Sequence, residues 1–214
     1  MILAHVFDEE KHLYKVESQY VLGTSDVLTL CKYSDYSQIP QGVLDNASHK
    51  GTQVHKAIEW FETDGCIPEV PEEYQGYFDA YLAWKCATGF QAQHMELRLV
   101  YVHEGTGQPI GCTIDLRGAI NGVPWIVDVK TNAKMYGAAL KQKRLCWRLQ
   151  LQSYCEGSEM EDPIWANCGK GVIQLFKDGT YEFHDFSDQD DQYLWDASIR
   201  VAMGKLAAGH RIDR

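Results

Sequence analysis

A chain of 214 residues, 45% of them hydrophobic, can bury a substantial core, and its length favours one elaborated domain. Its formal net charge of −10 argues against a protein that coats nucleic acid. The seven cysteines are odd in number and include no C-x-x-C pair, so neither a disulfide framework nor a zinc ribbon is signalled.

Residues 1–7 are apolar but lack a basic flank, are interrupted at once by Asp8, and are too short to cross a bilayer; a soluble cytoplasmic protein with no membrane partner is the default. Residues 13–30 read as a small hairpin turning into a helix. Tyr14, Val16 and the run Tyr20, Val21, Leu22 are β-prone, and Ser25 is placed to cap a helix holding Val27, Leu28 and Cys31. A loop with Pro40 and Gly42 follows, either a surface connection or a wall of a substrate channel. A helix then opens at Gly51 and runs to about residue 63, with Val54, Ile58 and Phe61 as its apolar stripe and His55, Glu59 and Glu62 beside it. A lone helical histidine is ordinarily structural or solvated; His55 stands out for its place just inside the helix. Residues 72–87 form a second helix, whose Tyr74, Phe78 and Tyr81 side reads as core rather than as a base-stacking platform.

Residues 95–102 alternate as a strand, and Glu96 enters the sheet either as a solvated edge residue or as part of a site. Two further strands, 110–120 and 125–130, flank Asn121-Gly122, the strongest short-range hairpin signal. This hairpin brings Asp115 near Asp128 and Lys130, which are two residues apart and share one strand face. Two carboxylates and an ammonium together suit a hard divalent cation and an activated water. A helix over about 133–155 carries Leu140, Trp147, Leu151 and Tyr154 on its core face. Gln150 flanks that face one turn from Tyr154, and Lys141, Arg144 and Arg148 lie on the neighbouring sector. From residue 129 to residue 155 there are six basic residues, Lys130, Lys134, Lys141, Lys143, Arg144 and Arg148, and no acidic one. A charged helix stripe is usually just solvated, but this one is all basic and joined to the acidic hairpin, so it reads as a phosphate-backbone contact. Residues 171–176 and 181–186 flank Asp178-Gly179, a second hairpin signal; Cys168-Gly169-Lys170-Gly171 lacks the P-loop spacing and reads as a turn. A helix from about residue 189, with Trp195, Ile199, Ala202 and Leu206 on one stripe, closes the chain. The order gives a mixed α/β fold: an elaboration over 1–50, a core over 51–186 and a carboxy-terminal helix over 187–214.

Taken in order, Asp115, Asp128-Val129-Lys130-Thr131 and Gln150-Leu151-Gln152-Ser153-Tyr154 resemble the motif series of the PD-(D/E)XK nuclease superfamily, in particular RecB-type nuclease domains and related phage exonucleases. Residues 51–59 resemble the helix that supplies those domains with a histidine, and the likeness spans roughly residues 25–186. It implies a restriction-endonuclease-like core, a central mixed sheet flanked by helices. It also implies Mg²⁺- or Mn²⁺-dependent hydrolysis of phosphodiester bonds, foremost by a DNA exonuclease in DNA processing or recombination, with phage encoding one setting. Under this resemblance Asp115, Asp128 and the Val129 carbonyl hold the cation, with His55 and Glu96 as further ligands or second contacts. Lys130 orients water and counters charge; a lysine beside a metal in a cleft can have a depressed pKa, which would allow a general-base role. Gln150 and Tyr154 hold the helix beside the site and touch nucleic acid, and Lys134, Lys141, Arg144 and Arg148 meet the DNA. The partner is a single- or double-stranded DNA end, and a homo-oligomer or a recombination-protein partner stays open.

The sequence departs from the family in two places. The glycine common three positions before the first aspartate is replaced by Cys112, with Gly111 beside it. Some relatives hold an iron–sulfur cluster through one upstream and three closely spaced downstream cysteines; here Cys146, Cys155 and Cys168 are too widely spread to join Cys31, so no cluster is expected. The alternatives are a non-catalytic nucleic-acid-binding or assembly module that retains the fold, a structure-specific endonuclease, and another metal-dependent hydrolase. No G-x-S-x-G, H-E-x-x-H or G-x-x-x-x-G-K-[ST] points to a serine hydrolase, a zinc protease or an NTPase.

Overall fold

Asn121 and Gly122 both take positive φ, 52° and 79°, the backbone that a type I′ turn needs. The strands they join are the spine of the sheet. The computed structural model describes residues 1–9, 11–35 and 37–211, so the last three residues of the expected 187–214 segment lie outside it. In chain order the elements are β1 (Val6–Asp8), β2 (Leu13–Val16), β3 (Gln19–Gly23), α1 (Thr24–Leu30), α2 (Gln41–Asp64), α3 (Glu72–Thr88), β4 (Gln91–Val102), β5 (Pro109–Ile120), β6 (Val123–Lys130), α4 (Gly137–Glu161), β7 (Gly169–Leu175), β8 (Tyr181–Asp185) and α5 (Gln192–Ala207). The strands form one sheet in the order β1-β2-β3-β5-β6-β7-β8, with β4 on the other edge of β5. The β3–β5 and β6–β7 pairs are parallel and the rest antiparallel, so the expected mixed sheet flanked by helices is the fold observed.

Helices cover both faces. On one, Trp147, Leu151 and Tyr154 of α4, with Val27 of α1 and Trp195 and Ile199 of α5, pack against Ile114, Ile126 and Val172. On the other, Val54 and Ile58 of α2 and Phe78, Tyr81 and Trp84 of α3 pack against Leu116, Val127 and Ile173. Each such side chain withdrawn from water contributes about 1.5–3 kcal/mol. The stripes expected on these three long helices are therefore core, the aromatic one on α3 included. No described helix is long and apolar enough to cross a membrane.

Several boundaries differ from the expected ones for identifiable reasons. The His55 helix does not open at Gly51. It begins at Gln41, directly after the extended Pro40, so the expected loop at Pro40 and Gly42 is a helix start. Its first three turns are almost wholly exposed and carry no apolar period to read. Helix α1 starts at Thr24 rather than being capped by Ser25; the Asp26 carboxylate accepts the Gly23 N–H at 2.9 Å. Helix α4 begins at Gly137, four residues late, because Gln174 holds the preceding connection extended. The Gln174 Nε2 donates to the carbonyls of Asn132 (3.2 Å) and Ala133 (2.9 Å). The expected turn over residues 168–171 is instead the start of β7.

Candidate active site

Strand β5 has β4 along one edge, so β3 and β6 share the other. Strand β3 takes Ile110 and Gly111, β6 takes residues 116–120, and residues 112–115 are left between them. Beyond the pair Leu116–Val127 the two strands part, and Asp115 and Asp128 stand at the fork. Asp115 Oδ2 bridges the opening by accepting the Val129 N–H at 2.8 Å.

Glu96 reaches the same fork through a break in β4. Met95 pairs with Leu116 and Leu97 with Ile114, whereas Glu96, opposite Asp115, is unpaired and has φ of 46°. Its neighbours confirm an exchange of faces: Leu97, Leu99 and Tyr101 join the α4-side cluster, while Met95 joins the α2/α3 side. A left-handed non-glycine residue costs about 1–2 kcal/mol, and such outliers gather at functional sites.

His55 is delivered by α2, whose Val54, Ala57 and Ile58 are buried against the sheet. Its Nδ1 lies 2.9 Å from Glu96 Oε1, and its Nε2 lies 3.3 Å from the Val129 carbonyl and 3.8 Å from Asp115 Oδ2. Burial pulls the imidazole pKa down, but the Asp115 carboxylate and the Glu96 contact outweigh it and hold the group at about 9. The resulting imidazolium donates from both nitrogens, occupying as a cation a place framed by oxygens.

Asp128 is fully buried. Lys130 Nζ sits 2.6 Å from its Oδ2, out of hydrogen-bond alignment, and Oδ1 has no donor at all. Burial lifts the Asp128 pKa to about 6 against the pull of Lys130, with Asp115 adding repulsion. The depressed lysine pKa is expected beside a bound metal; without a cation the surroundings act the other way. Burial does oppose its charge, but Asp128 and Asp115 hold it above the ordinary lysine value. On α4, Gln150 Nε2 donates to the Tyr154 hydroxyl at 2.6 Å. Burial, followed by the nearby Asp128 and Asp115 charges, keeps that phenol neutral.

One atom each from His55, Glu96 and Asp115 lies within 4.8 Å of the others, a grouping able to hold a metal ion. Asp128 and the Val129 carbonyl border it. The carboxylate and carbonyl donors suit a hard divalent cation, and the imidazole is a donor to softer ones. An orphaned buried carboxylate oxygen, costly without a partner, is an atom that a cation would satisfy.

Two cavities meet at this point. One, of about 450 Å³, is lined by Lys50, His55, Lys130, Lys143, Asp115 and Gln150 among others. The second, of about 240 Å³, shares Ser25, Asp115 and Gln150 with it and lies beneath the β1–β2 hairpin. The sequence reading missed Lys50, Lys143 and Ser25 as site residues. Lys143 carried a signal, since it is seven residues before Gln150, two helical turns along the same side. Lys50 carried none while α2 was read as starting at Gly51.

The expected basic contacts lie elsewhere. Lys141, Arg144 and Arg148 line a separate groove of about 650 Å³ with Phe186 and Gln189. Arg148 is committed to Asp191 through two bonds of 3.0 and 2.5 Å, and Arg144 lies over the Phe186 ring at 5.0 Å. Lys134 precedes the helix and covers the Phe176 ring at 4.6 Å.

No protein-family model matches the chain, and no curated protein sequence does. Among solved structures, it is similar to the one described as "Crystal structure of SSO0001", at 13% identity and TM-score 0.50, over 89% of this chain and 78% of that one. It is also similar to LHK-Exo in complex with dAMP, at 12% identity and TM-score 0.43, over 88% of this chain and 89% of that one. At 13% identity the likeness to the first is one of fold alone.

Proposed function

We propose that the chain is a divalent-metal-dependent deoxyribonuclease of the PD-(D/E)XK kind, working from DNA ends. The observation that carries the proposal is the grouping of His55, Glu96 and Asp115 at the fork between β5 and β6, with Asp128, whose Oδ1 has no donor, and Lys130 following on the adjoining strand. The His55 contacts stabilise the fold, but the buried Asp128 carboxylate, whose Oδ1 has no donor, costs stability, and a functional role accounts for it.

Asp115, Asp128, Glu96, His55 and the Val129 carbonyl are the residues that would hold the cation. When bound, it would neutralise the phosphate and lower the pKa of water. The chain's own groups do the rest. Lys130, kept charged by the acids around it, sits where it can hold the attacking water and meet the negative charge that develops on the phosphorane oxygens. Gln150 and the neutral Tyr154 hydroxyl offer hydrogen bonds to the substrate from the α4 side. Lys50 and Lys143 flank the strand's approach through the larger cavity, and Lys134, Lys141 and Arg144 supply outer phosphate contacts, while Arg148 stays with Asp191.

Asp128→Asn and Lys130→Ala should each lower Mg²⁺- or Mn²⁺-dependent release of nucleotides from DNA by about a hundredfold or more, with circular dichroism unchanged. Wild-type turnover in either variant would remove the assignment.

A further inference from the structure

The two cavities on either side of Asp115 differ in chemistry. The larger is lined by three lysines, Lys50, Lys130 and Lys143. The smaller has no lysine; it is walled by Phe7, His12 and Tyr14 from the β1–β2 hairpin, and by Arg98. The Phe7 and Tyr14 rings lie 4.8 Å apart, His12 meets Phe7 edge-on at 5.8 Å, and the Arg98 guanidinium covers Phe7 at 4.4 Å. Hydroxyls of Thr24 and Ser25 and the Gln150 amide add polar groups, and Glu96 and Asp115 close the end nearest the metal site.

From this contrast we infer that the smaller cavity is a subsite for the base and sugar of one terminal nucleotide, resting on the nuclease reading for the identity of the strand attached to it. Flat aromatic and guanidinium groups bind bases of any sequence by stacking, whereas lysines track phosphates. The acidic end of the cavity repels a phosphate unless a cation intervenes, so the nucleotide enters with its phosphate towards the Asp115 fork and its base towards Phe7. A volume near 240 Å³ accommodates one nucleotide and not a duplex. An internal phosphodiester carries chain on both sides, but a terminal one leaves a single nucleotide on one side, and the subsite therefore favours action at ends.

The test is equilibrium binding of dGMP and dTMP, which contain no phosphodiester to cleave, to the full chain in Mg²⁺, with inorganic phosphate as the comparison. Both nucleotides should bind about tenfold more tightly than phosphate. Phe7→Ala and the rim variant His12→Gly should remove most of that advantage, and Phe7→Tyr should restore it, with thermal melts recorded for all. Nucleotides that bind no better than phosphate, or unchanged binding in folded Phe7→Ala and His12→Gly proteins, would overturn the subsite. A DNA digestion run in parallel separates the two ideas: binding without cleavage keeps the subsite and removes the nuclease reading, and cleavage with unaltered Phe7→Ala binding does the reverse.

Discussion

Glu96 has two effects of opposite sign. Its carboxylate completes the grouping with His55 and Asp115, while its left-handed backbone, φ 46°, works against the fold. Glycine adopts that backbone freely. Both Glu96→Gly and Glu96→Ala should lose the His55 contact and bind Mn²⁺ at least about tenfold more weakly, but Glu96→Gly, free of the backbone strain, should be about 1–2 kcal/mol more stable than Glu96→Ala. Calorimetric melts and Mn²⁺ titrations separate the two effects. His55 sets the pH behaviour. Its pKa is about 9 in the folded protein against 6.5 ordinarily, so its contribution is fully present below pH 6.5 and is lost as pH rises through 9. In EDTA the protein should be about 2 kcal/mol less stable at pH 9 than at pH 7, and His55→Gln should abolish most of that difference. Urea denaturation at the two pH values measures it. That Asp115, Asp128 and Lys130 lie on one hairpin was legible, because the Asn121-Gly122 turn and the strand alternation are carried by local sequence. The bend at Glu96 was not, since the pairing of Met95 and Leu97 across to β5 creates it.

At the scale of elements, apolar period decided what could be read. Helix α4 and the Asn121-Gly122 hairpin announced themselves through a core stripe and a turn dipeptide, whereas the exposed first half of α2 had no stripe to show. The position of Gly111 also becomes clear only in three dimensions. A Cβ there would lie 2.3 Å from the Tyr14 ring, so the glycine lets the β2–β3 hairpin close onto β5 beside the site. Cys112, the next residue of β5, is buried beside Gly157 of α4 and needs no such clearance. Gly111→Ala should cost about 1–3 kcal/mol, read as a lowered urea midpoint, and should displace the wall of the smaller cavity.

On the scale of the whole molecule, the proposed function requires a chain of net charge −10 to bring a polyanion to an acidic fork. Across α2 and α4, positive charge divides between two places: Lys50 of α2 and Lys143 of α4 on the cavity at the fork, and Lys141, Arg144 and Arg148 on the other groove of α4. A helical projection showed that α4 was basic, but which sector met the fork depended on how the helix lies on the sheet. Replacing Lys50 and Lys143 with alanine should lower the slope of log affinity against log salt by about 0.7–0.9 per lysine and raise KM. Lys141→Ala with Arg144→Ala should change the slope with less effect on KM, as DNA titrations between 50 and 200 mM salt would show. The most direct test is a time course on end-labelled linear DNA and closed circular DNA in Mg²⁺, Mn²⁺ or EDTA. Expected is release of nucleotides from linear DNA with either metal, with none in EDTA, from the circle, or with Asp128→Asn. Equal release in EDTA, or no release from linear DNA with either metal, would contradict a metal-dependent nuclease at the β5–β6 fork.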